Sequence, residues 1–109
     1  MQVLEQIHEV EEIEENNSKL EVISDKYCRA ILNTTMYNPK AVTDIARDTK
    51  IPFSTIYRRI QMLLDQKLLS ISGMISEDGK RTSLYKSKIK GMSCVFDKGQ
   101  VKVELDLNR

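Results

Sequence analysis

An α+β fold is predicted, helical over the first two-thirds of the chain and β over the last third. Three observations predict it. Apolar residues recur at spacings of three and four as far as Leu63 and Leu64, and beyond Lys67 they alternate. Each alternating stretch is broken by a turn signal, Ser76-Glu77-Asp78-Gly79 in the first and Asp97-Lys98-Gly99 in the second. At 109 residues, 40% hydrophobic and 30% charged, the chain can bury one core but not two.

The first element is an amphipathic acidic helix over 2–15, with Val3, Leu4, Ile7, Val10 and Ile13 at helical spacing and Asn16-Asn17-Ser18 ending it. Residues 1–17 thus form a unit of their own. The helix is intrinsically weak, because its acids crowd the C-terminal end, where the helix dipole favours cations, and fourteen residues alone are marginal in water. Its apolar stripe needs a cover, either the chain's own core or a second subunit. A second helix is expected to be capped by Ser24, with Asp25 in its first turn and Tyr27, Cys28, Ile31 and Leu32 inward. Asn38-Pro39 stops it. A third, short helix covers Val42 to Asp48 with Val42, Ile45 and Ala46 inward, and a turn at Lys50-Ile51-Pro52 leads into a fourth over 53–66, whose start Pro52 suits.

After Lys67 the residues Leu69, Ile71, Met74 and Ile75 lead into the first turn, and Thr82 to Ile89 returns, so that Lys80 and Arg81 ride the tip of a hairpin. A second hairpin is expected over 91–109. There Met92, Cys94 and Phe96 alternate before the turn, and Val101, Val103, Leu105 and Leu107 after it, with Lys102, Glu104 and Asp106 outward.

The formal net charge of +1 hides two unlike parts. Residues 1–25 carry eight acids against Lys19 alone, a net of −7, whereas residues 50–90 carry nine bases against Asp65, Glu77 and Asp78, a net of +6. The basic stretch points to a polyanion. Cys28 and Cys94 stand far apart with no ligand-type neighbours, so no metal site or disulfide framework is readable. Both read as small buried hydrophobes. His8, the single histidine, has no neighbours of ligand type and reads as structural or exposed. No nucleophile pairs with a base, and there is no glycine-rich phosphate loop or HExxH, so no enzyme is expected. No apolar run approaches the ~20 residues of a membrane span, and the acidic beginning is unlike a signal peptide. A cytoplasmic protein is expected.

Two helices joined by a tight turn and followed by a basic hairpin have the order of a winged helix-turn-helix. The stretch AVTDIARDTKIPFSTIYRRIQMLLDQKLL resembles the core of the ArsR/MarR-like superfamily of archaeal and bacterial regulators. "VTDIA" is similar to its first motif helix, "IPFSTIYRRI" to its recognition helix and "LLDQKLL" to the run into its wing, while SDKYCRAIL looks like the preceding helix. The resemblance covers roughly residues 24–90. One departure stands out: the family usually has Gly where this chain has Lys67, a position that tends to need left-handed backbone, so modest strain or a differently ended helix is implied. The metal-sensing members carry a cysteine pair close in sequence on a motif helix, and this chain has none.

On the fourth helix, Ile56, Ile60 and Leu63 share the core stripe, and Ser54, Tyr57, Arg58 and Gln61 fall opposite, with no acid before Asp65. Arg58 suits guanine O6 and N7, and Gln61 suits adenine. Ser54 or Thr55, with the helix N-terminal amides, suits a phosphate. Arg59 sits toward the flank and is assigned to phosphate, and Tyr57 either contacts DNA or packs against the hairpin.

The expectation is therefore an N-terminal helix (1–17, a candidate dimerisation element), a winged helix-turn-helix over 18–90 and a C-terminal β-hairpin over 91–109 packed on it. Function follows as sequence-specific double-stranded DNA binding by a homodimeric prokaryotic transcription regulator. The 53–66 helix would read the major groove, and the 76–82 wing would place Lys80 and Arg81 on the backbone. No cofactor, metal or small-molecule ligand is expected. The alternative is a winged-helix protein–protein interaction module in a transcription or chromosome complex.

Overall fold

The computed structural model describes residues 2–109, and the side chains of residues 12–76 and 78–109. Four helices come first: α1 (Gln2–Ser24), α2 (Lys26–Thr34), α3 (Val42–Thr49) and α4 (Phe53–Asp65). Two antiparallel hairpins follow, β1 (Leu69–Glu77) with β2 (Lys80–Ser87) and β3 (Ile89–Asp97) with β4 (Gln100–Leu107). The α+β class and the order of elements are as the periodicity implied. The boundaries differ in three places, each for a physical reason.

Helix α1 does not stop at Asn16-Asn17-Ser18 but runs through them to Ser24. Asn and Ser cost only a few tenths of a kcal/mol each inside a helix (about 0.5). Beyond them Leu20, Val22 and Ile23 bring apolar surface, with Val22 buried in the core and Ile23 packed against it, and burial at about 25 cal/mol per Å² outweighs that propensity. A boundary at residue 17 therefore falls inside a continuous helix. The stripe of Val3, Ile7 and Val10, with Leu4 and His8, lies outside the described side chains.

Asp25, not Ser24, caps α2. Its backbone is extended (φ −81°, ψ 123°) and its carboxylate accepts the Cys28 amide at 3.0 Å. Ser24 instead ends α1, its hydroxyl donating to the Glu21 carbonyl at 2.6 Å. Arg29 donates to the Ile23 and Ser24 carbonyls at 2.9 and 2.8 Å, which supplies the cation that the last turn of α1 lacks.

The third difference is the passage between hairpins. Strand β2 ends at Ser87 and β3 begins at Ile89, with only Lys88 between, where alternation alone had suggested continuation to Ile89 and a restart after Gly91. Buried Ser87 makes the corner: its hydroxyl donates to the Ile89 carbonyl at 2.7 Å, and the Lys88 amide donates to Leu68 O at 2.9 Å.

The core is the place where α2, α3 and α4 meet the base of the first hairpin. Ile31, Ile45, Ile56, Leu63 and Leu68 are fully buried, each contributing on the order of 1.5–3 kcal/mol. Cys28 is buried among them, as expected. The chain between α2 and α3 contributes a single antiparallel bridge, Lys40 with Tyr85, whose amides and carbonyls exchange bonds of 2.9 and 2.8 Å. Lys40 also donates to Asp48 at 2.6 Å and to Thr34 at 2.9 Å, which ties that bridge to α3 and α2.

Both hairpins turn in the same way. Asp78-Gly79 and Lys98-Gly99 all have positive φ (50°, 75°, 51° and 78°), the two-residue geometry whose twist matches antiparallel strands. The second hairpin leaves the core and lies with β4 along α1, so that the molecule measures 56 × 27 × 26 Å. Strand β4 alternates as expected, Val101, Val103 and Leu105 half-buried and Lys102, Glu104 and Asp106 exposed, but Leu107 is exposed. Strand β3 does not: Cys94 and Phe96, expected inward, are exposed, because α1 covers the β4 row and leaves the β3 row open.

Candidate nucleic-acid interface

Helix α3 ends on Lys50 in the left-handed region (φ 61°), and Ile51-Pro52 then re-enters a helix, so α3 and α4 are joined by three residues. Ile51 is buried and pins the turn to the core. No side chain caps the first turn of α4, which leaves its amides available to an anion. Ile56, Ile60 and Leu63 are buried on one stripe, as the 100° spacing required.

The opposite face is open. Ser54, Tyr57, Arg58 and Gln61 are all exposed, while Thr55 is half-buried at its margin. Tyr57 is 59% exposed and so does not pack under the hairpin, and Phe53, one turn before it, is 52% exposed beside it. Arg58 forms no ion pair among the described residues. Gln61 donates to Asp65 at 2.9 Å, a bond that occupies its amide nitrogen and not its carbonyl oxygen. Lys80 and Arg81, at the start of β2, are exposed beside the Asp78-Gly79 turn.

Arg59 is the exception among the expected site residues. It is turned away from this face, and its Nε donates to Asp25 at 2.7 Å, with both side chains largely buried and the guanidinium 5.6 Å from the centroid of the Tyr27 ring. The bond joins α4 to the cap of α2. Burial alone would raise the Asp25 carboxyl, but the Arg59 and Cys28 hydrogen bonds outweigh it and hold it below the usual carboxylate range. The same bond raises the Arg59 guanidinium. Burial, then the Asp25 carboxylate, pushes the Cys28 thiol up to about 12. Arg59 therefore ties α4 to α2 through its Nε. The sequence held a signal for the helix-capping acid, but none for a partner thirty-four positions away.

Two other bases nearby are likewise committed. Arg47 pairs with Asp44 and Asp48 on its own helix, and Lys40 pairs with Asp48, whose carboxyl is held low chiefly by that Lys40 hydrogen bond. Lys50 is exposed at the helix junction and joins no ion pair among the described residues, a position that the αL requirement of a helix end could have pointed to.

No protein-family model matches the chain, and no curated protein matches it in sequence. The face of α4 is thus described by its own chemistry: a guanidinium, an amide, hydroxyls and two aromatic rings on a helix whose other side is buried and bonded to Asp25. Among the described residues, every buried side-chain nitrogen or oxygen has a hydrogen-bond partner, and no three metal-type ligands converge. Among the described residues, no helix is long and apolar enough to cross a membrane.

Proposed function

We propose that the chain is a winged helix-turn-helix protein that binds double-stranded DNA sequence-specifically as a prokaryotic transcriptional regulator. The observation that carries this reading is the division of α4 into a buried aliphatic stripe and an exposed face of Ser54, Tyr57, Arg58 and Gln61 with an exposed guanidinium at its centre. A helix with that face can enter a major groove and present a two-toothed donor to guanine. Two further features support it: the three-residue turn from α3, and a following hairpin with Lys80 and Arg81 exposed next to its turn. The Lys40–Tyr85 bridge ties the connection between α2 and α3 to that hairpin. In this reading the wing bases meet the sugar-phosphate backbone, and Arg59 serves by fixing α4.

One observation favours a second reading. Phe53 and Tyr57 form an exposed aromatic pair one turn apart, a surface that would also suit a protein partner of a winged-helix interaction module.

The deciding experiment is to titrate the protein onto mixed genomic DNA fragments at two salt concentrations, sequence what is retained, and repeat with Arg58→Ala on the enriched site. The expected result is enrichment of one motif and, for Arg58→Ala, a loss of about 1–3 kcal/mol with relaxed preference at one base pair. Absence of any retained DNA at low salt sinks the DNA reading and leaves the interaction module.

A further inference from the structure

Where the arm formed by α1 and the second hairpin joins the core, α2 and β3 border a groove of about 350 Å³. Buried Leu32 and Ile89 and half-buried Ile23, Met36 and Met92 supply its apolar lining. These residues come from three separate parts of the chain, so no local pattern announces the groove. Its volume falls at the lower end of the ~300–1,000 Å³ of small-molecule sites, room for one small ligand and not for a packed helix. The charged residues lining it are Arg29 and Lys90, both exposed. Among the described residues, no acid lines the groove and neither cation joins an ion pair.

Arg29 is held in a form suited to an anion. Its bonds to the Ile23 and Ser24 carbonyls, 2.9 and 2.8 Å, both leave from Nη1. That nitrogen carries two protons and is fully used, whereas Nε and Nη2 keep three N–H donors with no partner among the described residues. Nε and Nη2 form one edge of the guanidinium plane, a fork that matches the two oxygens of a carboxylate. Because two backbone carbonyls already fix the guanidinium, less side-chain freedom is lost when an anion binds. Lys90 is a point charge and adds attraction without direction. Along α2, Arg29 and Leu32 stand at helical spacing on one face, and Met36 lies just past the helix end, on the order of 10 Å from Arg29 at 1.5 Å per residue.

We propose that this groove binds a medium-chain carboxylic acid, its carboxylate on the Nε–Nη2 edge of Arg29 and its hydrocarbon tail along Leu32, Met36, Ile89 and Met92. Such an acid is ionised at neutral pH, as side-chain carboxyls are, and so complements a groove lined by cations alone. Met36 and Met92, unbranched and flexible, adapt to an unbranched tail. The site does not rest on the DNA-binding reading.

The test uses the full chain at neutral pH with octanoate as the probe. Octanol supplies the same tail without the charge, and acetate the same charge without the tail. Calorimetric titration is expected to show one octanoate per chain with a dissociation constant of about 0.1–1 mM, octanol about tenfold weaker, and no acetate binding in that range. With methyl-labelled methionine, the Met36 and Met92 signals should move during the titration, and that of Met74 on the first hairpin should not. Arg29→Gln should weaken octanoate about tenfold and leave octanol as it was, whereas a variant that had only lost its fold would lose both. Met92→Trp, which fills the groove, should remove both. The proposal is overturned by an absence of saturable octanoate binding, by octanol binding as tightly, by a preference for the acid that survives Arg29→Gln, or by shifts at Met74 in place of Met36 and Met92. A fall in sedimenting mass as octanoate binds also overturns it, since the groove would then be the seat of another copy of the chain.

Discussion

Arg58 and Arg59 are neighbours in sequence, identical in chemistry and about 100° apart around α4, and that angle separates two regions with different work. On the inward side, Ile56, Ile60 and Leu63 are buried and Arg59 is held by Asp25. On the outward side, Arg58 stands exposed among Ser54, Tyr57 and Gln61. A base count treats the two arginines alike. What distinguishes them is one carboxylate at the start of α2, which converts a mobile cation into a strut between helices, while its absence on the other face leaves a cation available to a ligand.

The largest effect should come from removing that strut. Asp25→Ala loses the α2 cap, about 1 kcal/mol, and leaves the largely buried Arg59 unpaired, about 1–2 kcal/mol more. Urea unfolding should therefore show a loss of about 2–3 kcal/mol, with base preference retained where the fold survives. The pH dependence has a fixed sign. Because the Asp25 carboxyl is lowered in the folded chain, its stabilisation is present above the unfolded carboxylate range near pH 4 and is lost as pH falls through the lower folded value. Arg59→Met should flatten that acid limb, and an unchanged limb would mean that the pair is not the stabilising contact. The two arginines then sort by readout, Arg59 in stability and Arg58 in base preference.

A smaller effect compares the two hairpin tips, which share one turn geometry but not one environment. Replacing Lys80 and Arg81 together by Ala should weaken all DNA sequences about equally and lower the salt slope by roughly one to two per subunit. Lys98→Ala at the other tip, which stands against the acidic α1, should leave the slope unchanged. Equal slopes for the two variants would abolish the distinction between a wing and an arm.

The helices and hairpins were legible because their apolar periods are strong: the stripe Ile56, Ile60, Leu63 is buried in the structure, and the alternation of Val101, Val103 and Leu105 corresponds to a half-buried face. The exposure of Ser54, Arg58 and Gln61 followed from the same angle. Three features were not legible, and all three are tertiary. Asn16-Asn17-Ser18 reads as a stop, yet α1 is carried through it by the burial of Val22. Cys94 and Phe96 alternate like core residues, yet their face is covered on the β4 side alone. Arg59 reads as a surface cation until Asp25 arrives from another helix. Local pattern states which residues could be buried; which are buried depends on what lies across from them.

The smallest effect concerns how α4 ends. The Leu68 amide bonds Leu63 O at 2.9 Å and the Lys67 amide bonds Leu64 O at 3.0 Å, the paired bonds of a helix end closed by one left-handed residue, and that residue is Lys67 at φ 59°. A side chain with a Cβ costs about 1–2 kcal/mol in that conformation, whereas glycine adopts it freely but loses more entropy on folding. Lys67→Gly should therefore stabilise the chain by about 0.5–1 kcal/mol, raising its melting temperature by a few degrees. Lys67 also borders a polar groove with Glu14 and Glu15 of α1, so its charge is a competing reason for its presence. Lys67→Ala keeps the Cβ and removes the charge, and so separates the two. If strain dominates, Gly is more stable than the parent and Ala is within about 0.5 kcal/mol of it. If both variants lose stability together, the acids of α1 hold the end of α4 through Lys67, and the strain is offset by that attraction.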